Sequence, residues 1–315
     1  EISVSGVPVK VKNFEWKTIF NWSKNNSMVE SLPEGIDKIQ IGSGVYNVKS
    51  YAEVGKPYGA IYAKTFKRDA EGYILCQLDG SPKEGQDYEY LGCVQADWRG
   101  GWNNVFRLGN FSFSVMFDFQ KGGKFFSQTS IQSSVDGQSV KSLEGRDADF
   151  FSRKILGESD EERYGFMRPQ NANTPTANGQ VYPDWGRPKG VVLPNCRYDE
   201  DVEGLAGQQV LGYCTPERYW MHYTSRDISR FIYDASYVKL REITVSYDLP
   251  KKWLRKTPFQ TFRVAAVGRN IATLFANTPH GLDPQATSTT GNAQGFERGF
   301  NLPSATYGFD IKVSF

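Results

Sequence analysis

The sequence predicts an all-β fold, an antiparallel transmembrane β-barrel wall of about seven strands with long loops on one side. Three observations predict it: strict alternation of apolar and polar residues, connections that are either very short or very long, and many aromatic side chains. The 315 residues include 21 Phe, 17 Tyr and 7 Trp but only 4 Met, and 39 % of the chain is apolar. This combination favours β-structure.

The terminal segment alternates most clearly. From Tyr307 to Phe315 every odd-numbered residue is apolar and every even-numbered residue is small or polar, so a strand here has one wholly apolar face. The phase of the alternation slips at Arg241 and Glu242, which predicts a bulge. In chain order, the predicted strands are Glu1–Ser5, Phe14–Asn25, Trp102–Leu108, Phe111–Gln120, Tyr237–Leu249, Phe259–Ile271 and Ala305–Phe315.

The connections between these strands form two classes. The short ones are residues 6–13, 109–110 and 250–258. The long ones lie between Asn26 and Trp98, between Lys121 and Ser236, and between Ile271 and Ala305. If the last strand runs down into the periplasm, every short connection is periplasmic and every long one is extracellular, as in outer-membrane barrels. An odd set of strands cannot close by itself, so we expect the C-terminal part of a barrel.

A soluble β-sandwich is the alternative fold, because apolar strand faces can also pack together in a core. Its function would be that of a secreted or surface β-sandwich glycan-binding module. The aromatic residues favour the membrane, since they gather towards strand ends, where outer-membrane barrels carry aromatic girdles. They are Phe14, Trp16, Phe20, Trp22, Trp102, Phe106, Tyr247, Tyr307 and Phe315.

Charge and hydropathy exclude other classes of protein. The net charge is +2, from 37 basic and 35 acidic residues, so no nucleic-acid partner is indicated. No apolar run is long enough for a transmembrane helix. The first residues, Glu1-Ile-Ser-Val4, carry no targeting signal, and we expect either a mature terminus or a piece of a longer protein.

The four cysteines predict two disulfides, Cys76 with Cys93 and Cys196 with Cys214, each within one long connection. Disulfides are common in oxidising compartments, and the spacing does not fit paired zinc knuckles. Free thiols and a metal or redox site are the alternatives. Each disulfide would restrict the conformations of a long loop.

No catalytic motif, metal site or cofactor site is predicted. His222 and His280 are the only histidines, and neither stands in a nucleophile or metal-ligand pattern. Catalysis by a surface glycoside hydrolase would need a carboxylate pair that the sequence does not identify. Aromatic rings in the longest connection are candidates for contact with sugar rings or peptides, although such rings are equally common in folded loops. They are Tyr182, Trp185, Tyr213, Tyr219 and Trp220.

An ordered set of segments resembles the SusC/RagA family of TonB-linked outer-membrane nutrient transporters. The segments span nearly the whole chain and are Gly55–Tyr62, Asn110–Ser114, Gln120–Gly123, Tyr237–Pro250, Val267–Ala272, Gly281–Pro284 and Tyr307–Phe315. The resemblance implies a 22-stranded barrel, of which residues 1–315 are the C-terminal segment; the plug, the TonB-interaction segment and the first strands lie outside this chain. It also implies TonB-dependent import of oligosaccharides or peptides, together with a SusD-like surface lipoprotein.

Within such a wall, apolar residues face the outer-membrane lipid and polar residues line the lumen. The lumen-facing candidates are Arg263, Arg269, Asp310 and Lys312. The chain end is similar to the signal that the barrel assembly machinery recognises. Its residues are Gly308, Ile311, Val313 and Phe315.

Overall fold

The computed structural model describes residues 1–78, 80–144, 191–214, 216–279, 281–286, 291, 294–299 and 304–315. Within them the strands are β1 (Ile2–Val11), β2 (Phe14–Ser23), β3 (Lys38–Ser43), β4 (Lys49–Glu53), β5 (Ala60–Ala63), β6 (Ile74–Cys76), β7 (Glu89–Cys93), β8 (Trp98–Leu108), β9 (Phe111–Lys121), β10 (Lys124–Ser127), β11 (Val191–Tyr198), β12 (Gln209–Cys214), β13 (Ile232–Asp234), β14 (Tyr237–Asp248), β15 (Thr261–Ala276), β16 (Phe296–Glu297) and β17 (Thr306–Ser314).

Helical segments are short and lie between the strands. They are α1 (Gln128–Val135), α2 (Pro216–Arg218), α3 (Lys251–Leu254), a π-helix at Tyr219–Tyr223, and 3-10 turns at Val140–Leu143, Thr224–Arg226 and Ile228–Phe231. In the described part of the chain, no helix has both the length and the apolar character needed to span a bilayer.

Seven strands form one antiparallel sheet in the order β1-β2-β8-β9-β14-β15-β17. All seven predicted strands are therefore confirmed, and each pairs with the next one along the chain. The predicted bulge is also confirmed, because the register of β14 shifts between Leu240 and Glu242 against both neighbours. Arg241 is the extra residue of this bulge.

The first predicted strand was too short. β1 continues to Val11, so residues 6–13 are not a connection, and the chain turns at Lys12 and Asn13 instead. The register shifts between Gly6 and Val9, and this irregularity moves the apolar residues from even to odd positions. A period-two pattern cannot be followed through such a shift from sequence alone.

The sheet has one apolar and one polar face. Aligned residues of consecutive strands form apolar rows across all seven strands. One row is Val9, Trp16, Phe106, Phe113, Val245, Ala266 and Phe309. The next row is Val11, Phe14, Leu108, Phe111, Tyr247, Val264 and Ile311. These rows are uncovered in the described structure, since Phe309 is 86 % exposed and Phe111 is 57 % exposed.

The long connections fold together into a second body, which we call the loop layer (the described residues of 24–97, 122–236 and 277–305). Its first sheet, β3-β4-β5-β7, belongs to one connection. The sheet β12-β11-β6 joins the second connection to the first, and the sheet β13-β10-β16 joins the second to the third. The long connections are thus packed structures rather than independent loops.

Two hydrophobic clusters hold the loop layer together. The first contains Phe66 and Ile74 from one connection and residues from Val191 to Tyr223 of the next. The second contains Ile61, Phe126 and Phe296, so it draws on all three long connections. Most fully buried large side chains of the described residues lie in this layer, and the seven-stranded sheet contributes little to any buried core.

Candidate functional site

The polar face of the seven-stranded sheet carries all four residues predicted to face a lumen. Arg263 of β15 is aligned with Lys312 of β17, and Asp310 is aligned with Ala265. Arg269 is aligned with Thr306, again on the face opposite the apolar rows. The structure thus places the four side chains on one face, and the assignment of that face to a lumen remains a proposal.

Ion pairs fix two of these cations on the sheet. The Arg263 guanidinium donates two hydrogen bonds to Asp248, Nε to Oδ1 at 2.6 Å and Nη2 to Oδ2 at 2.8 Å. The Nε of Arg269 donates to Glu242 Oε2 at 3.0 Å. Each pair joins β15 to β14, so the cations have defined positions and the face presents alternating charge rather than one sign.

A denser polar cluster lies where β14 begins, next to the loop layer. The ammonium of Lys239 bonds the carboxylate of Asp283 and donates to Gln285 Oε1 at 3.0 Å. Arg241 bonds Asp118 of β9 and also donates to Gln285 Oε1, at 2.6 Å. The bulge explains how Arg241 reaches this face, because the extra residue turns its side chain toward the polar side. We call these five residues the β14 polar cluster.

The Lys239–Asp283 pair is buried, with 1 % of the lysine side chain and 7 % of the aspartate side chain exposed. A lysine ammonium inside a protein is stable only with a carboxylate and further acceptors around it. The pair therefore ties the third long connection to the polar face of the sheet. Sequence reasoning did not predict this contact, although Asp283 belongs to the Gly281–Pro284 segment that carried the family resemblance.

Two of the five loop aromatics predicted to contact substrate are buried instead of lying on a surface. Tyr219 and Trp220 are fully buried in the first cluster, with their rings edge to face at 5.2 Å. The Trp220 indole N–H donates to the Glu144 carbonyl oxygen at 3.2 Å, and burial raises the pKa of Tyr219 to about 12. Both residues thus pack the loop layer, and this position does not support direct ligand contact.

Three of the aromatic candidates stay predictions. Tyr182 and Trp185 lie outside the described residues. Tyr213 lies in β12, where it is aligned with Val192, and only its backbone is described. Their contact with substrate remains a prediction.

The cysteines are distributed differently from the predicted pairs. Cys76, Cys196 and Cys214 are buried together in the first cluster. Cys93 lies in β7, in another sheet, where its thiol donates to the Tyr58 carbonyl oxygen at 3.4 Å and burial raises its pKa. This placement does not support the Cys76–Cys93 disulfide, because pairing depends on which sheets pack together and not on spacing along the chain. The Cys196–Cys214 disulfide remains a prediction.

No group of metal ligands occurs among the described residues. His222 is exposed in the π-helix, and His280 lies outside the described part of the chain.

Near the chain end, Ile311 and Val313 alternate with polar residues, and the ring of Phe315 lies 5.3 Å from that of Phe259. A Cβ added to Gly308 would meet no atom within 4 Å.

Comparisons with known proteins give one relative in sequence and several in structure, while no protein-family model matches. The chain is 22 % identical over 329 residues to TonB-dependent receptor P3 from Formosa agariphila, which covers 98 % of this chain and 27 % of that protein. It is similar to the RagAB peptide transporter with a TM-score of 0.52 and 14 % identity, covering 99 % of this chain and 28 % of the other. For the RagAB peptide importer in the closed-closed state, the TM-score is 0.51 and the identity 16 %, over 99 % of this chain and 29 % of the other.

These similarities confirm the resemblance recognised in the sequence. The chain is homologous to a TonB-dependent receptor along nearly its whole length and spans about a quarter of that relative, 27 %. Its fold matches part of a RagA-type transporter. The expectation that the chain is not an enzyme agrees with both comparisons, because the relatives are a receptor and a transporter.

Proposed function

We propose that this chain forms the C-terminal part of the wall of a TonB-dependent outer-membrane transporter of the SusC/RagA type. The complete wall would have about 22 strands, as large outer-membrane transporters do. The whole protein would import oligosaccharides or peptides together with a SusD-like surface lipoprotein, using energy that TonB relays through the N-terminal part.

The observation that carries this proposal is the uncovered apolar face of the seven-stranded sheet. A sandwich domain needs a second sheet about 10 Å away to bury such rows, and the described residues place no such layer on them. Apolar side chains in continuous rows fit lipid, and alternation with polar side chains fits a wall between lipid and an aqueous lumen. The glycan-binding sandwich is correspondingly disfavoured.

The edges of the sheet support the same interpretation. β1 and β17 each pair on one side only within the described residues. Backbone N–H and C=O groups at a strand edge cannot remain unpaired in a bilayer. Further strands of the same barrel would supply the missing partners.

On the other face, Arg263, Arg269, Asp310 and Lys312 would line the lumen. The loop layer would lie outside the membrane, above the end of the lumen that the β14 polar cluster marks. There it would meet the lipoprotein and the substrate. The solved relatives are a peptide transporter and importer, which supports peptides as a substrate class, while oligosaccharides remain the other candidate class.

The terminal strand would also direct assembly. Gly308, Ile311, Val313 and Phe315 combine a lipid-facing edge with a terminal aromatic residue, the pattern on which a barrel-assembly signal depends. Deletion of Phe315 should lower the amount of protein in the outer membrane. An unchanged amount would contradict this role.

Adjacent residues of β17 provide a direct test of the wall. The full-length protein, labelled with a fluorophore at Phe309→Cys, should be quenched by brominated lipid and protected from aqueous iodide. The same label at Asp310→Cys, one residue further, should show the opposite pattern. Equal quenching at the two positions would contradict a lipid-facing and a lumen-facing side.

Transport is tested in cells. Uptake of labelled peptides and oligosaccharides should depend on the full-length protein and on TonB. Uptake that continues without TonB would contradict the proposed mechanism.

A further inference from the structure

The connection between β14 and β15 contains a cluster of basic residues around an exposed tryptophan. Its sequence is Pro250-Lys-Lys-Trp-Leu-Arg-Lys-Thr-Pro258. The four basic side chains, Lys251, Lys252, Arg255 and Lys256, are all exposed. Trp253 is 59 % exposed, although a tryptophan usually buries most of its surface. We call residues 250–258 the basic turn.

The basic turn has a defined structure. The backbone N–H of Trp253 donates to the Pro250 carbonyl oxygen at 2.9 Å, and the backbone N–H of Thr257 donates to the Leu254 carbonyl oxygen at 2.9 Å. Leu254, within the turn, is buried. The cations and the indole are therefore presented by an ordered helical turn, α3, and not by a disordered loop.

Among the described residues, nothing neutralises the positive charge of the basic turn. No described carboxylate lies within ion-pair distance of Lys251, Lys252, Arg255 or Lys256. The carboxylates of the neighbouring strands at this end are engaged elsewhere: Asp248 binds Arg263, and Glu15 binds Lys10 at 3.0 Å. Four exposed cations without acidic partners attract an anionic ligand.

The basic turn lies at the edge of the apolar face. The short connections are joined in one rim, because the Gly109 N–H donates to the Asn13 carbonyl oxygen at 2.8 Å and the Asp248 N–H donates to that of Asn110 at 2.9 Å. The apolar row from Val11 to Ile311 ends at this rim. In the proposed wall, this level of the protein meets the phospholipid headgroups.

We propose that the basic turn is a binding site for an anionic phospholipid headgroup of the periplasmic leaflet, an inference that rests on the membrane wall proposed above. The phosphate would be held by Lys251, Lys252, Arg255 and Lys256, and the indole of Trp253 would insert at the boundary between headgroups and acyl chains. Basic residues beside an interfacial aromatic are the usual combination for this ligand. The bound lipid would fix the depth of β14 and β15 along the membrane normal.

The test uses the full-length protein in vesicles of phosphatidylethanolamine with added phosphatidylglycerol. After mild detergent extraction, native mass spectrometry measures the ratio of the two retained lipids. The wild type should retain phosphatidylglycerol preferentially. The variant with Lys251→Gln, Lys252→Gln, Arg255→Gln and Lys256→Gln should bind it at least about tenfold more weakly, since it loses all four cations that attract an anionic headgroup.

Two matched variants separate a local site from net charge. The control with Lys24→Gln, Lys38→Gln, Arg68→Gln and Lys121→Gln removes the same charge from exposed positions far from the rim, and it should retain phosphatidylglycerol. A charge-preserving variant, Lys251→Arg, Lys252→Arg, Arg255→Lys and Lys256→Arg, should also retain it. Equal retention by the wild type and the basic-turn Gln variant would overturn the site, and so would equal loss in the control variant with charges removed far from the rim.

Other outcomes distinguish this inference from the proposed function. Wild-type protein that inserts into vesicles without enriching phosphatidylglycerol overturns the lipid site alone, whereas failure to insert overturns the wall and the site together. If the Gln variant does not insert, salt titration of the wild type decides, because bound phosphatidylglycerol should be released as screening increases. Wild-type protein that binds purified peptidoglycan but shows no lipid preference would assign the basic turn to the cell wall instead.

Discussion

At the scale of single residues, the Lys239–Asp283 pair shows how charge is used to attach a loop to the seven-stranded sheet. The two residues are 44 positions apart, and both side chains are almost inaccessible to water. A buried ion pair contributes little net stability compared with apolar residues of similar size, but the loss of one partner leaves an uncompensated charge. The pair is therefore more important for position than for stability.

The first prediction concerns this pair. Asp283→Leu leaves the Lys239 ammonium buried without its carboxylate and should lower the free energy of unfolding by about 3 to 5 kcal/mol. The double variant Lys239→Met, Asp283→Leu should recover most of that loss. Thermal unfolding of the full-length protein in detergent measures both, and a double variant as unstable as the single one would contradict the prediction.

Asp199 joins the first two long connections of the loop layer. Its carboxylate accepts hydrogen bonds from Lys67 at 2.9 Å and from Lys83 at 2.7 Å. Burial alone raises the pKa of this aspartate, but the bonds from Lys83, Lys67 and the Glu200 N–H outweigh it and lower the pKa to about 2.

The second prediction follows from that pKa. A carboxyl group with a lowered pKa stabilises the fold above its ordinary pKa of 3.8 and loses this contribution as the pH falls towards about 2. The loop layer should therefore lose about 1 to 2 kcal/mol between pH 4 and pH 2. Hydrogen exchange of β6 and β11 measures the loss, and Asp199→Asn should remove this part of the pH dependence. An identical pH profile in the variant would refute the assignment.

At the scale of elements, neighbouring residues in each strand of the sheet face opposite sides, one apolar and one polar. Phe113 lies in an apolar row, and Ser114 lies on the polar face, where its hydroxyl donates to Asn103 Oδ1 at 3.1 Å. Polar atoms on the apolar side are also bonded, since the Trp16 indole N–H donates to Asn104 Oδ1 at 3.0 Å. A lipid-facing surface requires that its polar atoms have such hydrogen-bond partners, because lipid offers none.

The third prediction compares these neighbours in β9. Phe113→Arg should destabilise the membrane-inserted protein by about 2 to 4 kcal/mol, because it places a charge toward lipid. Ser114→Arg should change stability by less than about 1 kcal/mol. Urea unfolding in vesicles measures both, and similar losses at the two positions would argue against a membrane face.

The short strand β16 is held by a buried carboxylate in addition to its pairing with β10. Glu297 is buried and accepts hydrogen bonds from Ser127 Oγ at 2.6 Å, from Thr129 Oγ1 at 2.6 Å and from the Thr129 N–H at 3.1 Å. These donors surround the start of α1, whose N-terminus favours negative charge. Glu297 thus holds the third long connection to the second.

The fourth prediction is that Glu297→Gln detaches β16 from α1. The loss of charge-assisted hydrogen bonds should cost about 1.5 to 3 kcal/mol locally. Limited proteolysis between Glu297 and Thr306 should accelerate, while the seven-stranded sheet stays resistant. Thr129→Val removes only one donor and serves as a milder control; a proteolysis rate unchanged by Glu297→Gln would contradict this role.

At the scale of the whole molecule, the largest sheet does not contribute the main hydrophobic core, as the largest sheet of a soluble domain would. The described core lies in the loop layer, whereas the largest sheet exposes its apolar rows. An exposed apolar surface of this extent indicates contact with lipid or another chain.

The fifth prediction is that the protein needs an apolar partner to remain dispersed. In detergent, the full-length protein should migrate as one species in size-exclusion chromatography, and removal of the detergent should cause aggregation. A monodisperse species in buffer alone would favour the soluble sandwich.

The seven-stranded sheet is encoded in local sequence pattern. Side chains alternate with a period of two residues along a strand, so seven strands, their faces and the bulge at Arg241 could be predicted from local pattern. The four polar-face residues followed from the same parity. The pattern failed at Gly6, where an irregularity shifts the period, and it missed the start of β8 at Trp98 and the end of β15 at Ala276.

The other features have no local pattern in the sequence, because they depend on contacts between residues far apart in the chain. Packing of the long connections placed Tyr219 and Trp220 inside a cluster and Cys93 in a different sheet from Cys76. The Lys239–Asp283 contact joins a connection to the sheet, the Glu297–Ser127 contact joins two connections, and neither leaves a periodic trace in the sequence. Local alternation reports which side of a strand is apolar, whereas the meeting of distant segments is set by the packing of the whole molecule.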